Sequence, residues 1–227
     1  MFGGVLGDLL PLAIGIAISP IPIIACILML FTAKARVNGP AFLVGWVLGV
    51  TVVTTLVVVL SDATAATDDP ASGPSLGDLI LLLLGVGAIL LGIRQWRGRP
   101  KPGEDATMPP WMAAIDQFTP GKALGFGFLL SAINPKNLGL AAAAGLVIDR
   151  GVAAGGGALS MVVLFVILAS LSIAVPVLYV LVGGEGAKRT LEGWRTWLAA
   201  HNAAVMAVLF IVIGAKLVGG GLDAILG

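Results

Sequence analysis

The chain has 227 residues, of which 58% are hydrophobic and 11% charged, and its formal net charge is +1. A soluble domain carries about 25% charged residues, so this chain has too little polar surface for a water-exposed globule. The near-neutral charge also argues against a nucleic-acid partner, which would call for a basic surplus. The composition therefore predicts an all-α integral membrane protein in contact with membrane lipids.

Six apolar stretches are each long enough to cross a bilayer, which takes about 20 residues in a helix. Charged residues, prolines and glycines mark their ends. The first span has no basic leader and is too long for the core of a signal peptide, so we expect it to be retained. The predicted transmembrane helices cover approximately residues 5–31, 40–60, 76–93, 123–148, 155–182 and 198–218.

Basic residues concentrate in the connections after the first, third and fifth spans. Ten of the 13 lysines and arginines fall there: Lys34, Arg36, Arg94, Arg97, Arg99, Lys101, Lys122, Lys188, Arg189 and Arg195. The opposite side is acidic, with Asp8, Asp62, Asp68, Asp69, Asp78, Asp149 and Asp223. Because cytoplasmic loops carry the excess of lysine and arginine, we predict a multi-pass membrane protein with both termini outside.

Two connections are long. Residues 61–75 are small, acidic and turn-forming, which predicts a flexible outer loop. Residues 98–121 predict a cytoplasmic linker with a short interfacial helix, because Trp111, Ile115 and Phe118 fall on one helical face. We expect a second interfacial helix before the sixth span, and both would anchor at the headgroup level. The apolar side of this second helix holds Leu191, Trp194, Trp197 and Leu198.

A weak internal repeat relates the two halves of the chain. Residues 17–22, Ala-Ile-Ser-Pro-Ile-Pro, align at an offset of 115 with residues 132–137, Ala-Ile-Asn-Pro-Lys-Asn. An odd number of spans in each repeat would invert the second half relative to the first. We therefore predict an inverted 3+3 repeat, with residues 1–97 and 122–227 as the two three-span repeats and residues 98–121 as the linker.

Prolines near the middle of the first and fourth spans predict that both helices are broken. Pro20 and Pro22 in the first span, and Pro135 in the fourth, each remove a backbone donor. Orphaned polar groups in lipid cost several kcal/mol, so such breaks need neighbouring helices or a wet cavity. Ser19 and Asn134 carry side chains able to cap the freed helix ends. The alternative is that the prolines merely kink well-packed helices.

Lys136 lies about 20 Å into the fourth span, too deep for easy snorkelling to the membrane surface. A lysine at the bilayer centre costs at least about 2.5 to 3.5 kcal/mol and is functional by default. Its candidate partners are freed carbonyls near the two breaks, the amides of Asn134 and Asn137, water, or an anionic group of a substrate. The alternative is a structural lysine that ties the two broken helices together.

Gly45 and Gly49 lie four residues apart in the second span. Small residues at this spacing favour close helix packing, and the alternative is that they line a pathway. Glycine-rich faces also make a homodimer a candidate. The chain has no nucleotide-binding loop, and Cys26 and His201 cannot assemble a metal cluster or a catalytic pair, so we expect no metal, no cofactor and no enzymatic activity.

Several motifs resemble a known group of exporters. These are the S-P-x-P of the first span, the N-G-P-x4-G-x3-G run from Asn38 to Gly49, and the N-P-K-N of the fourth span. They are similar to the LysE superfamily of small six-span exporters. The stretch from Pro110 to Asn137 resembles more specifically the actinobacterial GAP family, which includes proteins implicated in moving glycopeptidolipid or sulfolipid to the cell surface.

This resemblance implies export of a lipid or glycolipid across the plasma membrane. Carried over by motif, the substrate-binding residues are Ser19, Pro20, Pro22, Asn134, Pro135, Lys136 and Asn137. The leading hypothesis is a secondary exporter or flippase that works by alternating access around a midplane site between spans one and four. The alternatives are efflux of small amino acids or cations, and a non-transporting scaffold for a lipid-export machine.

Overall fold

The computed structural model describes residues 2–65, 76–99, 110–152 and 157–226, and every regular element in these ranges is a helix. The predicted all-α class is therefore confirmed. A 3₁₀ helix, Pro110–Gln117, precedes the fifth α-helix. The α-helices are α1 (Phe2–Ala17), α2 (Pro20–Phe31), α3 (Ala35–Ala65), α4 (Leu76–Arg97), α5 (Pro120–Ala132), α6 (Pro135–Gly151) and α7 (Gly157–Leu226).

Within the described ranges, four helical segments are long and apolar enough to cross a membrane. They are Ala35–Ser61, Gly77–Arg97, Gly157–Gly184 and Gly186–Asp223. Helices α1 and α2 together form a fifth candidate, bent by 50° at the break between them. Helices α5 and α6, with 13 and 17 residues, are each shorter than the about 20 residues that a span requires. The described ranges thus contain four to five candidate spans, and the fourth predicted span consists of two short helices.

Both predicted helix breaks are present. Helix α1 ends at Ala17 and α2 begins at Pro20, while α5 ends at Ala132 and α6 begins at Pro135. Pro20 and Pro135 each occupy the first position of a helix, where an N–H group would have no intrahelical partner and its absence costs little. The prolines therefore start new helices and do not kink continuous ones.

Helix α7 has two arms that meet at a kink. Gly184 has a backbone φ of 55°, a left-handed conformation that glycine adopts without strain. The first arm is Gly157–Gly184 and the second is Gly186–Asp223. The amphipathic segment expected as a separate interfacial helix belongs to the second arm, and that prediction was wrong. The segment between Trp194 and Leu198 contains no proline to end the helix, so the second arm extends well before the sixth predicted span.

The other two connections also differ from expectation. Residues 61–65 form the last turn of α3 and not a loop, and residues 66–75 lie outside the described ranges. The short linker helix is of the 3₁₀ type, and its Ile115 is 1% exposed because it packs into the hydrophobic core. Packing of Ile115 into the protein core therefore holds this segment in place. The side chain of Trp111 and the whole of Pro109 lie outside the described part of the chain.

Glycines bring two pairs of helices into backbone contact. Between α3 and α5, a Cβ atom on Gly45 would overlap the carbonyl oxygen of Leu124, and one on Gly127 would overlap that of Phe42. Between α4 and the second arm of α7, a Cβ atom on Gly214 would lie 2.7 Å from the carbonyl oxygen of Gly85. Small residues allow this close packing in membrane helices, where dispersion contacts replace the hydrophobic effect.

Candidate functional site

Lys136 is the buried cation at the centre of the candidate site. It occupies the second position of α6, is 6% exposed, and its ammonium nitrogen donates to the carbonyl oxygen of Gly15 over 2.5 Å. Gly15 lies in the last turn of α1, where carbonyl groups have no intrahelical partner. Lys136 therefore satisfies a carbonyl that the first break sets free, which is one of the partners left open by the sequence.

Asn137 performs the equivalent role at the second break. Its side-chain amide donates to the carbonyl oxygen of Leu130, in the last turn of α5, over 2.9 Å. Asn134 caps α6, because its side-chain oxygen accepts from the backbone N–H of Lys136 over 3.1 Å. The predicted capping role of Asn134 is thus confirmed. The N-P-K-N segment, residues 134–137, consequently supplies hydrogen bonds to helix ends at both breaks.

Ser19, which aligns with Asn134, does not cap the helix that follows it. It precedes α2 and is 3% exposed, but its side chain makes no capping hydrogen bond. A capping hydroxyl accepts from the N–H of the second or third helical residue. The third residue of α2 is Pro22, which has no N–H, so one of these two donors is missing. The prediction that Ser19 caps the freed helix end was therefore wrong.

Two features beside Lys136 offer room and polarity for a ligand. A cavity of about 150 Å³ lies between α4, α6 and the second arm of α7, and Pro135, Lys136 and Gly139 are among its lining residues. The side-chain oxygen of Asn137 is fully buried and has no hydrogen-bond partner among the described residues. A buried acceptor without a partner is costly, but Asn137 does not line this cavity, so only Lys136 brings a charged group to it.

The predicted glycines lie away from this cavity. Gly45 packs against the backbone of α5, and a Cβ atom on Gly49 would overlap the Ser131 hydroxyl oxygen. Helix packing accounts for this pair of residues, and the surrounding contacts leave no open space at either Cα atom. The geometry favours the packing interpretation over the pathway interpretation.

Charged residues gather at one end of the helices, which we call the acidic end. A cavity of about 560 Å³ lies there, between the beginning of α1, the end of α6 and the end of α7. At this end the Lys216 side chain donates to the carbonyl oxygen of Gly7 over 2.9 Å, and three of the contacts between two side chains join the first half of the chain to the second. They are Ser61 with Asp149 (2.6 Å), Asp78 with Arg150, and Asp8 with Lys216 (3.0 Å).

Sequence reasoning missed these contacts, although it contained a signal for them. Arg150 and Lys216 are basic residues on the otherwise acidic side, and each now lies against an aspartate from the other half. Gly15 was missed as well, because nothing local to it distinguishes its carbonyl from its neighbours. Over the described residues, no group of three or more histidine, cysteine, aspartate or glutamate side chains is arranged to hold a metal ion.

The apolar helices, two helix breaks and buried lysine indicate a multi-pass helical membrane protein with a few polar side chains in an apolar interior. The chain belongs to the family described as Sap, sulfolipid-1-addressing protein, whose family model matches residues 9–223. This match confirms the resemblance to the GAP family. No curated protein and no solved structure matches the chain significantly. Membership associates the chain with a lipid-related role in a membrane, in a family that is not a known class of enzyme.

Proposed function

We propose that the chain is a plasma-membrane exporter or flippase of a lipid or glycolipid, of the LysE exporter superfamily. Residues 1–97 and 122–227 act as two inverted three-span repeats joined by the linker 98–121. The substrate headgroup binds between the broken spans one and four and crosses the membrane by alternating access. In this arrangement the acidic end faces the outside.

The buried contact between Lys136 and Gly15 carries this proposal. It joins the two broken helices, one from each repeat, at a level where a cation is expensive unless it has a function. An anionic headgroup would be a stronger partner for the ammonium group than a neutral carbonyl. Binding would therefore release the carbonyl of Gly15 and loosen the connection between the repeats. Binding of the headgroup and movement of the two repeats are coupled in this way through the side chain of Lys136.

The contacts at the acidic end support an outwardly closed conformation. Each of the three joins one repeat to the other, so opening toward the outside requires all of them to separate. Leu12, Leu81 and Leu217 are among the residues that line the cavity at this end, and all three are buried. We infer that these apolar side chains separate the cavity from Lys136 until the contacts break.

Lipid is favoured over the other substrate classes for two reasons. The family description concerns the addressing of a sulfolipid, which carries an anionic headgroup. A lysine as the buried charge also disfavours cation efflux, because it would repel the ion. Efflux of small amino acids and a purely scaffolding role remain alternatives that the following experiment separates from lipid export.

The decisive experiment is reconstitution of the purified full chain into liposomes with a fluorescent anionic glycolipid, followed by measurement of its transfer between leaflets. We expect transfer with the native chain and its loss with Lys136→Ala. Pro20→Ala should slow transfer, because a proline no longer fixes the start of α2. Lys122→Ala is the matched control, since Lys122 is an exposed lysine at the opposite, basic end.

Two results would contradict the proposal. If the native chain moves no labelled lipid but concentrates amino acids in the same vesicles, the substrate class is wrong. If Lys136→Ala, inserted and folded like the native chain, transfers lipid at the native rate, then Lys136 is structural and the assigned site is wrong. Absence of any transfer by the native chain would leave scaffolding as the better explanation of the family description.

A further inference from the structure

A long apolar groove lies between α1 and α7, on the opposite side of α1 from Lys136. Its volume is about 740 Å³. Along α1 it extends from Leu10 to Ile18, and along the first arm of α7 from Leu168 to Pro176, which is about 12 Å of each helix. The small side chains of Ala13 and Ala17 lie on the α1 side of the groove. Its shape is that of a slot that follows the helix axes.

One end of the groove is marked by tryptophans. Trp194, Trp197 and Leu198, from the beginning of the second arm of α7, line this end, and Ile23 of α2 also contributes to the lining. Tryptophan concentrates at the headgroup level of membranes, so this end lies at the interface and the rest extends toward the membrane centre. The groove therefore follows the helix axes from the tryptophans toward Leu10, which lies two residues from Asp8, and a chain bound in it would lie parallel to the lipid chains of the bilayer.

Basic residues lie beyond the tryptophan end of the groove and outside its lining, in a helical segment where Glu192 is paired with Arg195. Lys188 and Arg189 lie on the same helix as Trp194, about 8 Å before it. Basic residues near a membrane surface attract anionic lipids. Within the groove, Ser172 contributes a hydroxyl that has no hydrogen-bond partner among the described residues.

The corresponding interface in the other repeat is closed. Under the 115-residue alignment, α1 corresponds to α5, and α3 corresponds to the first arm of α7. The interface between α3 and α5 is sealed by Gly45 and Gly127 in contact with backbone atoms. The interface between α1 and α7 lacks such an approach and opens into the groove. The two halves of the repeat thus differ at this interface, which is closed between α3 and α5 and open to a ligand between α1 and α7.

We propose that this groove binds one acyl chain of an anionic membrane lipid, with the headgroup beside Lys188 and Arg189. The inference rests on the proposed function, because it names where the hydrocarbon part of the substrate is held before its headgroup reaches Lys136. The headgroup lies at the basic end, and the acyl chain enters the groove sideways from the surrounding bilayer. A second copy of the chain is the competing occupant, and the test below includes it.

The experiment uses the full chain in phosphatidylcholine nanodiscs that contain phosphatidylglycerol with a photoactivatable diazirine in one acyl chain. After illumination, mass spectrometry locates the labelled residues. We expect labelling of residues 10–18 and 168–176 to exceed labelling of Val44 and Val52, which are exposed on α3 away from the groove. Replacing the probe with its phosphatidylcholine analogue should reduce labelling of the groove.

Variants that fill the groove provide the second arm of the test. Ala17→Trp should abolish most of the groove labelling, and Val175→Trp, from the opposite wall, should do the same if Ala17→Trp does not fold. Val208→Trp is the matched control, because Val208 is exposed on α7 and does not line the groove. If a variant with a filled groove still transfers lipid between leaflets at the native rate, then lipid binding in the groove is not part of export. That result would overturn the proposal that the groove holds the substrate before its headgroup reaches Lys136.

Two other outcomes overturn the proposal. Equal labelling of the groove and of Val44 would mean that bulk lipid merely solvates the surface. Efficient disulfide cross-linking between two Ile14→Cys chains would show that a second copy occupies the groove. By contrast, groove labelling that persists in Lys136→Ala, together with lost transfer, would support both the acyl-chain site and the separate role of Lys136. Labelling confined to the groove in a chain that transfers no lipid would support the site and refute the exporter.

Discussion

The ammonium group of Lys136 hydrogen-bonds the carbonyl oxygen of Gly15, a residue 121 positions earlier in the chain. This bond joins the second residue of α6 to the last turn of α1, and it brings together two helix ends that were each created by a proline. The same short segment also satisfies the end of α5 through Asn137. The stability of both breaks and the chemistry of the candidate site therefore depend on neighbouring residues.

Replacing Lys136 with methionine keeps the length of the side chain and removes its charge and its donors. The carbonyl of Gly15 would be left buried without this partner, and we expect a loss of stability of about 1 to 3 kcal/mol. Thermal unfolding in detergent measures that loss. If Lys136→Met unfolds like the native chain, the bond to Gly15 contributes nothing, and the ammonium group does not tie the helices.

The two capping positions should respond differently to alanine. Asn134→Ala removes a cap that is present and should cost about 0.5 to 2 kcal/mol. Ser19→Ala removes a side chain that makes no capping bond, so the cost from capping should be absent. Urea or thermal unfolding of both variants under the same conditions makes the comparison. Equal losses would contradict the assignment of Asn134 as the only one of the two that caps.

Two glycines of α5 form a matched pair for testing helix packing. A Cβ atom on Gly127 would overlap backbone atoms of α3, so Gly127→Ala should destabilise the chain by about 1 to 3 kcal/mol. Gly125 has open space at the same atom, and Gly125→Ala should stabilise α5 by about 0.5 to 1 kcal/mol through backbone entropy. Opposite shifts of the unfolding midpoint are the expected result, and a loss of stability in both would contradict it.

The contacts at the acidic end should control access to the interior. Leu12→Cys places a thiol in the cavity lining, and the native Cys26 is fully buried and gives a low background. Arg150→Gln should increase the rate of maleimide labelling at this thiol, because it breaks a partly buried contact between the two halves. Lys216→Gln should have less effect, since exposed ion pairs contribute only about 0 to 1 kcal/mol.

The charge-reversed pair Asp78→Arg with Arg150→Asp is the control for this prediction. It should restore slow labelling if the contact itself closes the acidic end. Unchanged labelling in Arg150→Gln would mean that the cavity is closed by its apolar lining alone, and the proposed opening step would lose its support.

Local rules in the sequence were enough for the helix class, for both breaks and for the cap at Asn134. The breaks were predicted from the missing N–H of Pro20 and Pro135, although Pro11, Pro40 and Pro176 lie inside helices, so a proline alone does not end one. The same kind of local reasoning failed at Ser19, where Pro22 removes a donor three residues later. The amphipathic segment before the sixth span was misplaced because amphipathic character predicts a face and does not predict where a helix ends.

The sequence by itself determined that the chain is helical and apolar, where its helices are interrupted, and that one lysine lies deep within an apolar stretch. Tertiary structure decided which carbonyl that lysine binds, which aspartates meet Arg150 and Lys216, and where an open groove remains. The physical reason is separation along the chain. Missing donors and apolar runs act over a few residues, whereas the bond from Lys136 to Gly15 exists only because packing brings two distant helix ends within 2.5 Å.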